Sequence, residues 1–205
     1  MLSNEMGLRD VYRAGDVYRW QIVKTSRQQS IAEHSFFVAM IAMEIFEAVF
    51  SGSSEFNQEN RELVREWALL HDMPEVLTGD ISTPLKDLIS KETNGNNPFA
   101  LVEKMTYRRY KLSLDRINEK PHLKAIVKLA DYLEAMQFLE ENACHAHGHM
   151  IRFSIGKKFG QYVLSLKSKW KEYDWGRVQL VKEELMLKMP IIMDEILEGE
   201  KRKCG

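Results

Sequence analysis

Residues 30–50 read SIAEHSFFVAMIAMEIFEAVF. Ile31, Val38, Ile41, Ile45 and Val49 recur at spacings of three, four and seven, and neither Gly nor Pro interrupts them. That is the period of an α-helix with one buried face. Ser30 suits an N-cap, and Glu33 three residues on completes a capping box. Ser51-Gly52-Ser53-Ser54 then ends the run. One polar residue, His34, sits early on this apolar face.

Outward from this segment the same period continues. It predicts a helix over about 59–71, with Leu63, Trp67 and Leu70 on one face. Met73-Pro74-Glu75 opens a short helix, since Pro suits an early helical position, and Gly79-Asp80 closes it. Segment 91–98, with Asn94-Gly95-Asn96-Asn97, reads as a loop. Further helices are expected over 98–118 and 121–142. Two more should lie within 154–198, broken near Asp174-Trp175-Gly176. No run alternates as a strand would, and no internal repeat shows. The expected fold is all-α, a single helical domain over 1–205.

Composition narrows the function. A chain of 205 residues with 44% hydrophobic content can bury a core without staples. Lys+Arg 29 against Asp+Glu 30 leaves no basic surplus, so no nucleic acid polymer and no anionic membrane is the expected partner. A small anionic substrate needs only a few local cations. Cys144 and Cys204 stand far apart and read as reduced thiols. There is no basic region followed by an apolar run at the N-terminus, and no stretch of 18 apolar residues. A cytoplasmic protein is expected.

Three positions carry metal chemistry. His71-Asp72 ends an amphipathic helix, and imidazole with carboxylate suits Zn²⁺, Mn²⁺, Fe²⁺ or Co²⁺. Neighbours on a helix point about 100° apart, so both reach one ion most easily at a helix end or kink. His34 alone reads as a hydrogen-bonded core histidine. Asp131, in a helix of buried character, needs a cation to offset its burial, and Lys128 is one candidate.

Taken together, His34, His71, Asp72 and Asp131 stand in the order His…His-Asp…Asp, and on helices this resembles the HD-superfamily phosphohydrolases. The nearest likeness is to the bacterial 5′-deoxynucleotidase family and its viral dATP triphosphohydrolase relatives. Four blocks carry it: Arg19-Trp20; Ala32-Glu33-His34-Ser35; His71-Asp72 through Glu75, Thr78-Gly79-Asp80, Thr83-Pro84 and Lys86; and Lys128 with Ala130-Asp131. They span roughly 19–142, and the last third carries no recognised motif.

The resemblance implies an HD-type helical bundle in which His34, His71, Asp72 and Asp131 hold one divalent transition metal. It implies that Glu75 and Asp80 serve catalysis and that Arg19 and Trp20 meet the substrate. A homo-oligomer, at least a dimer, is also expected. The chemistry is sound on its own terms. A metal leaves room for water and a phosphate oxygen and lowers the water's pKa. Glu75 suits a general acid/base, with Asp80 orienting substrate or water. Arg19 offers a planar fork for phosphate. Trp20, Ile22 and Pro84 could frame a base, with Thr83, Thr78, Lys86 and Lys128 as polar contacts.

The expected reaction is hydrolysis at the phosphorus nearest the deoxyribose, releasing the deoxynucleoside. A deoxynucleoside monophosphate would give phosphate and dATP would give tripolyphosphate, with adenine favoured. Gln21-Ile22 and Met73-Pro74 depart from the bacterial pattern, and both are expected to touch the base region. Two other classes use similar residues: a nucleotide-binding regulatory module and an HD phosphodiesterase of a cyclic nucleotide. The first would lack a ligand or Glu75, and the second needs further histidines. Cys144, His145, His147 and His149 form a tract better read as an adventitious metal binder, in a stretch where Gly148 ends a helix.

Overall fold

The 30–50 segment folds as a helix, Ile31–Phe50, whose N-cap Ser30 hydroxyl accepts the Glu33 N–H at 3.1 Å. The reciprocal half of the box is absent, because the Glu33 carboxylate pairs with Arg27 at 2.6 Å. The computed structural model describes residues 7–94, 103, 106 and 111–186. Within them the helices are α1 (Leu8–Tyr12), α2 (Ile31–Phe50), α3 (Gln58–Leu70), α4 (Glu75–Thr78) and α5 (Thr83–Glu92). After these come α6 (Lys111–Glu119), α7 (Pro121–Asn142), α8 (Ala146–Lys169) and α9 (Val178–Met186). No strand forms among the described residues. Isolated bridges join Tyr18 to Ser30 and Thr25 to Ala143.

The bundle centres on α2, which packs against α3, α7 and α9. Its Val38, Ile45, Phe46 and Phe50 are fully buried against Val64, Ile126, Leu129 and Leu133. Each such side chain is worth about 1.5–3 kcal/mol relative to exposure. α7 is buried nearly all round because α8 covers its other side. The C-terminal third also closes the core. Trp175 is fully buried, meets Phe50 edge-on at 6.0 Å, and donates its indole N–H to the Trp170 carbonyl at 3.0 Å.

Several boundaries differ from the sequence expectation. α8 starts at Ala146, not near 154, and Gly148 lies in its first turn. A Cβ there would stand 2.7 Å from the Ala143 Cβ, so the glycine admits a close approach and does not end a helix. α1 and α5 were not expected from the pattern; α1 is a single short turn, and α5 carries many polar positions. Of the expected 98–118 helix, 98–102 and most of 103–110 lie outside the described residues, as do 95–98 of the expected loop and 187–198 at the end.

Two smaller apolar clusters position the site. Ala14, Ile31, Met73 and Val76 pack together, so Met73 is a core residue and not part of a base slot. Val23, Phe138 and Leu139 form the second, with Trp20 half-buried against it. Backbone bonds pin segment 17–30 between them. Ile31 N–H donates to the Val17 carbonyl at 2.9 Å, Arg19 N–H to Gln29 at 2.9 Å, and Ser26 N–H to Asn142 at 2.8 Å.

Candidate metal centre and its cleft

α3 stops at Leu70, and the chain turns tightly before α4 begins at Glu75. Met73 N–H bonds the Leu70 carbonyl at 3.1 Å and Glu75 N–H bonds the Asp72 carbonyl at 3.0 Å. This break turns the adjacent side chains of His71 and Asp72 toward the same point. His34 reaches that point from α2. One ligand atom each from His34, His71 and Asp72 lies within 4.8 Å of the other two, the one such group among the described residues. Asp131, on α7, lies against His34 but outside this three-residue group.

His34 is completely buried. Its Nε2 lies 3.4 Å from Asp72 Oδ2 and 3.5 Å from Asp131 Oδ1, and makes no hydrogen bond. His71 Nδ1 bonds the Ala68 carbonyl at 2.7 Å, which leaves the lone pair on Nε2, 3.6 Å from Asp72 Oδ2. Asp131 is shared: its Oδ2 takes Lys128 Nζ at 2.7 Å while Oδ1 faces His34. The Nε2 atoms of His34 and His71 and an Asp72 oxygen, with Asp131 beside His34, fit a divalent transition metal.

The electrostatics agree. Burial and the Arg19 charge oppose a protonated His34, but the Asp72 and Glu134 carboxylates outweigh them and raise it to about 9. Burial would raise Asp72, yet His71, His34 and Arg19 hold it well below the usual range. Against its own burial, Asp131 is drawn to about 2 by Lys128 and then His34. Asp72 and Asp131 therefore stay charged near neutrality.

Beside the ligands is a cleft lined by His71, Asp72, Pro74, Glu75, Thr78 and Lys86, among others. Glu75 Oε1 takes Lys86 Nζ at 2.8 Å, while Oε2 is buried without a hydrogen bond. Burial, then the Asp72 charge, raises Glu75 to about 7, with Lys86 restraining the rise. Asp80 lies just past Gly79, whose φ of 76° ends α4. Its Oδ2 accepts the Trp20 backbone N–H at 3.2 Å. Trp20 itself has φ 65°, a conformation costing a bulky residue about 1–3 kcal/mol. Asp80, the Gln29 side chain and parallel stacking on Phe138 at 5.9 Å hold it there.

Other expected residues fall differently. Arg19 points inward, against His34 Nδ1, Glu134 Oε2 at 3.3 Å and Asp131 Oδ1 at 3.8 Å. It is paired with Asp131 and Glu134, not poised over open space. Lys86 is engaged with Glu75. Ile22 and Pro84 are exposed, and the side chain of Thr83 lies outside the described residues. Thr78 hydroxyl bonds the Gly79 carbonyl at 2.9 Å. His145, His147 and His149 are exposed and gather with no third ligand among the described residues. Two residues were missed by sequence reasoning: Gln29 and Glu134, both nearly fully buried. Glu134 lies three residues after Asp131 in an apolar helix, which was a usable signal.

The model of the 5′-deoxynucleotidase YfbR-like family matches residues 9–150. The chain belongs to that family. Similar relatives include the dATP triphosphohydrolase of Salmonella phage PMBT28, 37% identical over 80% of this chain and 81% of the relative. The dATP triphosphohydrolase of Acinetobacter phage SH-Ab 15497 is 30% identical over 84% and 87%. The 5′-deoxynucleotidase YfbR of Salmonella typhi is 33% identical over 61% and 67%. Among solved structures, the Cyanophage S-2L HD phosphohydrolase (DatZ), bound to dA and one catalytic Zn²⁺ ion, has TM-score 0.62 at 23% identity. It covers 87% of this chain and 95% of its own, and gives the YfbR-like fold of this protein a solved counterpart.

Proposed function

We propose that this YfbR-like protein hydrolyses 2′-deoxynucleotides at the α-phosphorus and releases the deoxynucleoside, with dATP as its substrate and tripolyphosphate as the second product. The observation that carries the reading is the buried Nε2 of His34, facing Asp72 and Asp131 beside His71. The choice of dATP rests on relatives: those aligned over four-fifths of the chain act on dATP. A deoxynucleoside monophosphate presents the same phosphorus and is the alternative substrate.

In this reading His34, His71, Asp72 and Asp131 hold one divalent ion. When bound, it would polarise a phosphate oxygen and lower the pKa of water. The chain's own groups supply the rest. The leaving 5′-oxygen of deoxyribose is a poor leaving group as an alkoxide and needs a proton. Glu75, which lines the cleft, carries one near neutrality, and its Oε2 is free of hydrogen bonds. Lys86 holds the other oxygen and fixes the carboxyl plane. Asp80 sets Trp20 through its backbone N–H, so its role is to place the wall against which base and sugar rest. Ile22 and Pro84 would close on the base only with substrate present.

The rival classes fit less well. A regulatory module needs no buried Glu75 titrating near neutrality. A two-metal phosphodiesterase needs spare histidines, and His122 is committed to Glu55 at 3.0 Å within an aromatic cluster. Among the described residues no helix is long and apolar enough to cross a membrane, and we place the protein in the cytoplasm. Assembly into at least a dimer belongs to the same proposal, and exposed Phe36, Phe37 and Met40 on α2 favour it. The test of the reaction is product identification from dATP and dAMP, described below.

A further inference from the structure

Two buried polar side chains connect the candidate metal centre to the substrate wall. The Trp20 indole N–H donates to Gln29 Oε1 at 2.9 Å. Gln29 Nε2 donates in turn to Glu134 Oε1. The other Glu134 oxygen, Oε2, lies 2.6 Å from His34 Nδ1. Gln29 is 1% exposed and Glu134 4% exposed, so neither is there for solvent's sake.

The direction of the two bonds at Gln29 is forced. An indole can only donate and a carboxylate can only accept, so the Gln29 amide has one allowed orientation. Arg19 also touches His34 Nδ1 and could donate to it, but its guanidinium has Glu134 and Asp131 to donate to, whereas Glu134 Oε2 at 2.6 Å can only accept, which favours the tautomer protonated at Nδ1. With Nδ1 protonated, the lone pair of a neutral His34 sits on Nε2, the atom aimed at Asp72 and Asp131.

We propose that Glu134 and Gln29 are positioning residues that lock His34 in its metal-binding tautomer and tie it, by a hydrogen-bond relay of fixed polarity, to Trp20. The inference rests on the metal-site reading above. It makes the wall for the substrate and the ligand for the ion parts of one rigid assembly. A side chain hydrogen-bonded behind a metal-binding histidine typically changes metal affinity 10–100-fold when removed.

Polarity gives the experiment. In Glu134→Gln the new amide has one acceptor and one donor. If its oxygen serves His34, its NH₂ faces Gln29, which must flip and present NH₂ to the Trp20 N–H. If Gln29 keeps its place, NH₂ faces His34 and favours the wrong tautomer. One end of the relay must fail. Adding Gln29→Glu restores a donor to every acceptor: indole to Glu, Gln to Glu, and His34 to the Gln oxygen.

Zn²⁺ affinity would be measured by competition with a chromogenic chelator for wild type, E134Q and Q29E/E134Q, with helical circular dichroism recorded for each. E134Q should lose about tenfold or more, and the double variant should recover most of it. Unchanged affinity in E134Q with an unshifted Trp20 indole ¹H–¹⁵N resonance would overturn the inference, as would a loss that the second change does not repair. Wild type that binds no Zn²⁺ would instead sink the metal-site reading itself. A long-range ¹H–¹⁵N spectrum of the zinc-loaded wild type adds a check independent of variant folding. His34 should show a protonated Nδ1, and a protonated Nε2 would refute the relay.

Discussion

The ammonium of Lys86 lies 2.8 Å from Oε1 of Glu75 and leaves Oε2 buried without a hydrogen bond. One carboxyl group thus has one oxygen fixed and one able to carry a proton. Burial and Asp72 raise Glu75 to about 7, and Lys86 keeps it from rising further. As a general acid it is active below that value and lost above it, so the rate should fall on the alkaline side of neutrality. Glu75→Gln should lower kcat by about 10²-fold or more and remove that limb. A pH–rate profile with the limb intact in the variant would move the acid elsewhere.

Lys86→Met removes the cation that restrains Glu75. The carboxyl pKa should then rise, and the alkaline limb should move to higher pH. A limb that stays in place would show that Lys86 does not act on Glu75. The readout is the midpoint of the profile, which a purely structural role for Lys86 would leave in place.

Metal binding should be linked to protons. His34 is held protonated up to about 9 by Asp72 and Glu134, and it must shed the Nε2 proton to become a ligand. Apparent affinity should therefore rise with pH, by about tenfold per unit below 9 if one proton is displaced. His34→Ala and Asp131→Ala should each lose bound metal while helical circular dichroism largely persists. Metal content equal to wild type in both would show that the ligand set is misassigned.

The core of the site was legible in sequence because its chemistry is local. His71-Asp72 at a helix end, with Pro74 after it, announced the break that turns both side chains one way. His34 and Asp131 could be paired with them only by their order along the chain. The helices over 30–50 and 121–142 read well because their apolar period is long and uninterrupted. α5 was missed because Pro84, Lys86 and Asp87 thin its pattern, and the start of α8 because Gly148 looks like a terminator. Only the packing shows that Ala143 and Val23 require a glycine there. Gln29 and Glu134 went unnoticed for a related reason: their importance lies in a partner more than 100 residues away. The same holds for Arg19, whose carboxylate partners come from α7.

The C-terminal third carries a stability test. Trp175 is fully buried between Phe50, Tyr173 and Trp170. Trp175→Ala should cost about 3–5 kcal/mol by urea denaturation. A loss under about 1 kcal/mol would mean that this segment is not part of the cooperative core.

In the proposed function, base selectivity is assigned to Ile22. A polar 2-amino group pressed against it would lack a hydrogen-bond partner, at about 1–3 kcal/mol, or roughly tenfold to a hundredfold. Deoxyadenosine nucleotides should therefore exceed deoxyguanosine nucleotides in kcat/KM, and adenosine nucleotides should be disfavoured where the 2′-hydroxyl meets an apolar wall. Ile22→Ala should narrow the gap between the bases. Selectivity that survives the substitution would assign discrimination to another residue.

The central claim is cleavage of the Pα–O5′ bond by the metal-loaded protein. Incubating it with dATP, dAMP, ATP and AMP, and resolving the phosphate products by ³¹P NMR, tests that claim most directly. Tripolyphosphate and deoxyadenosine from dATP, abolished by chelation and by Glu75→Gln, is the expected result. Inorganic phosphate from dAMP alone would keep the chemistry and change the substrate. Pyrophosphate or single phosphates released stepwise from dATP, or no turnover of either deoxynucleotide with metal bound, would contradict it.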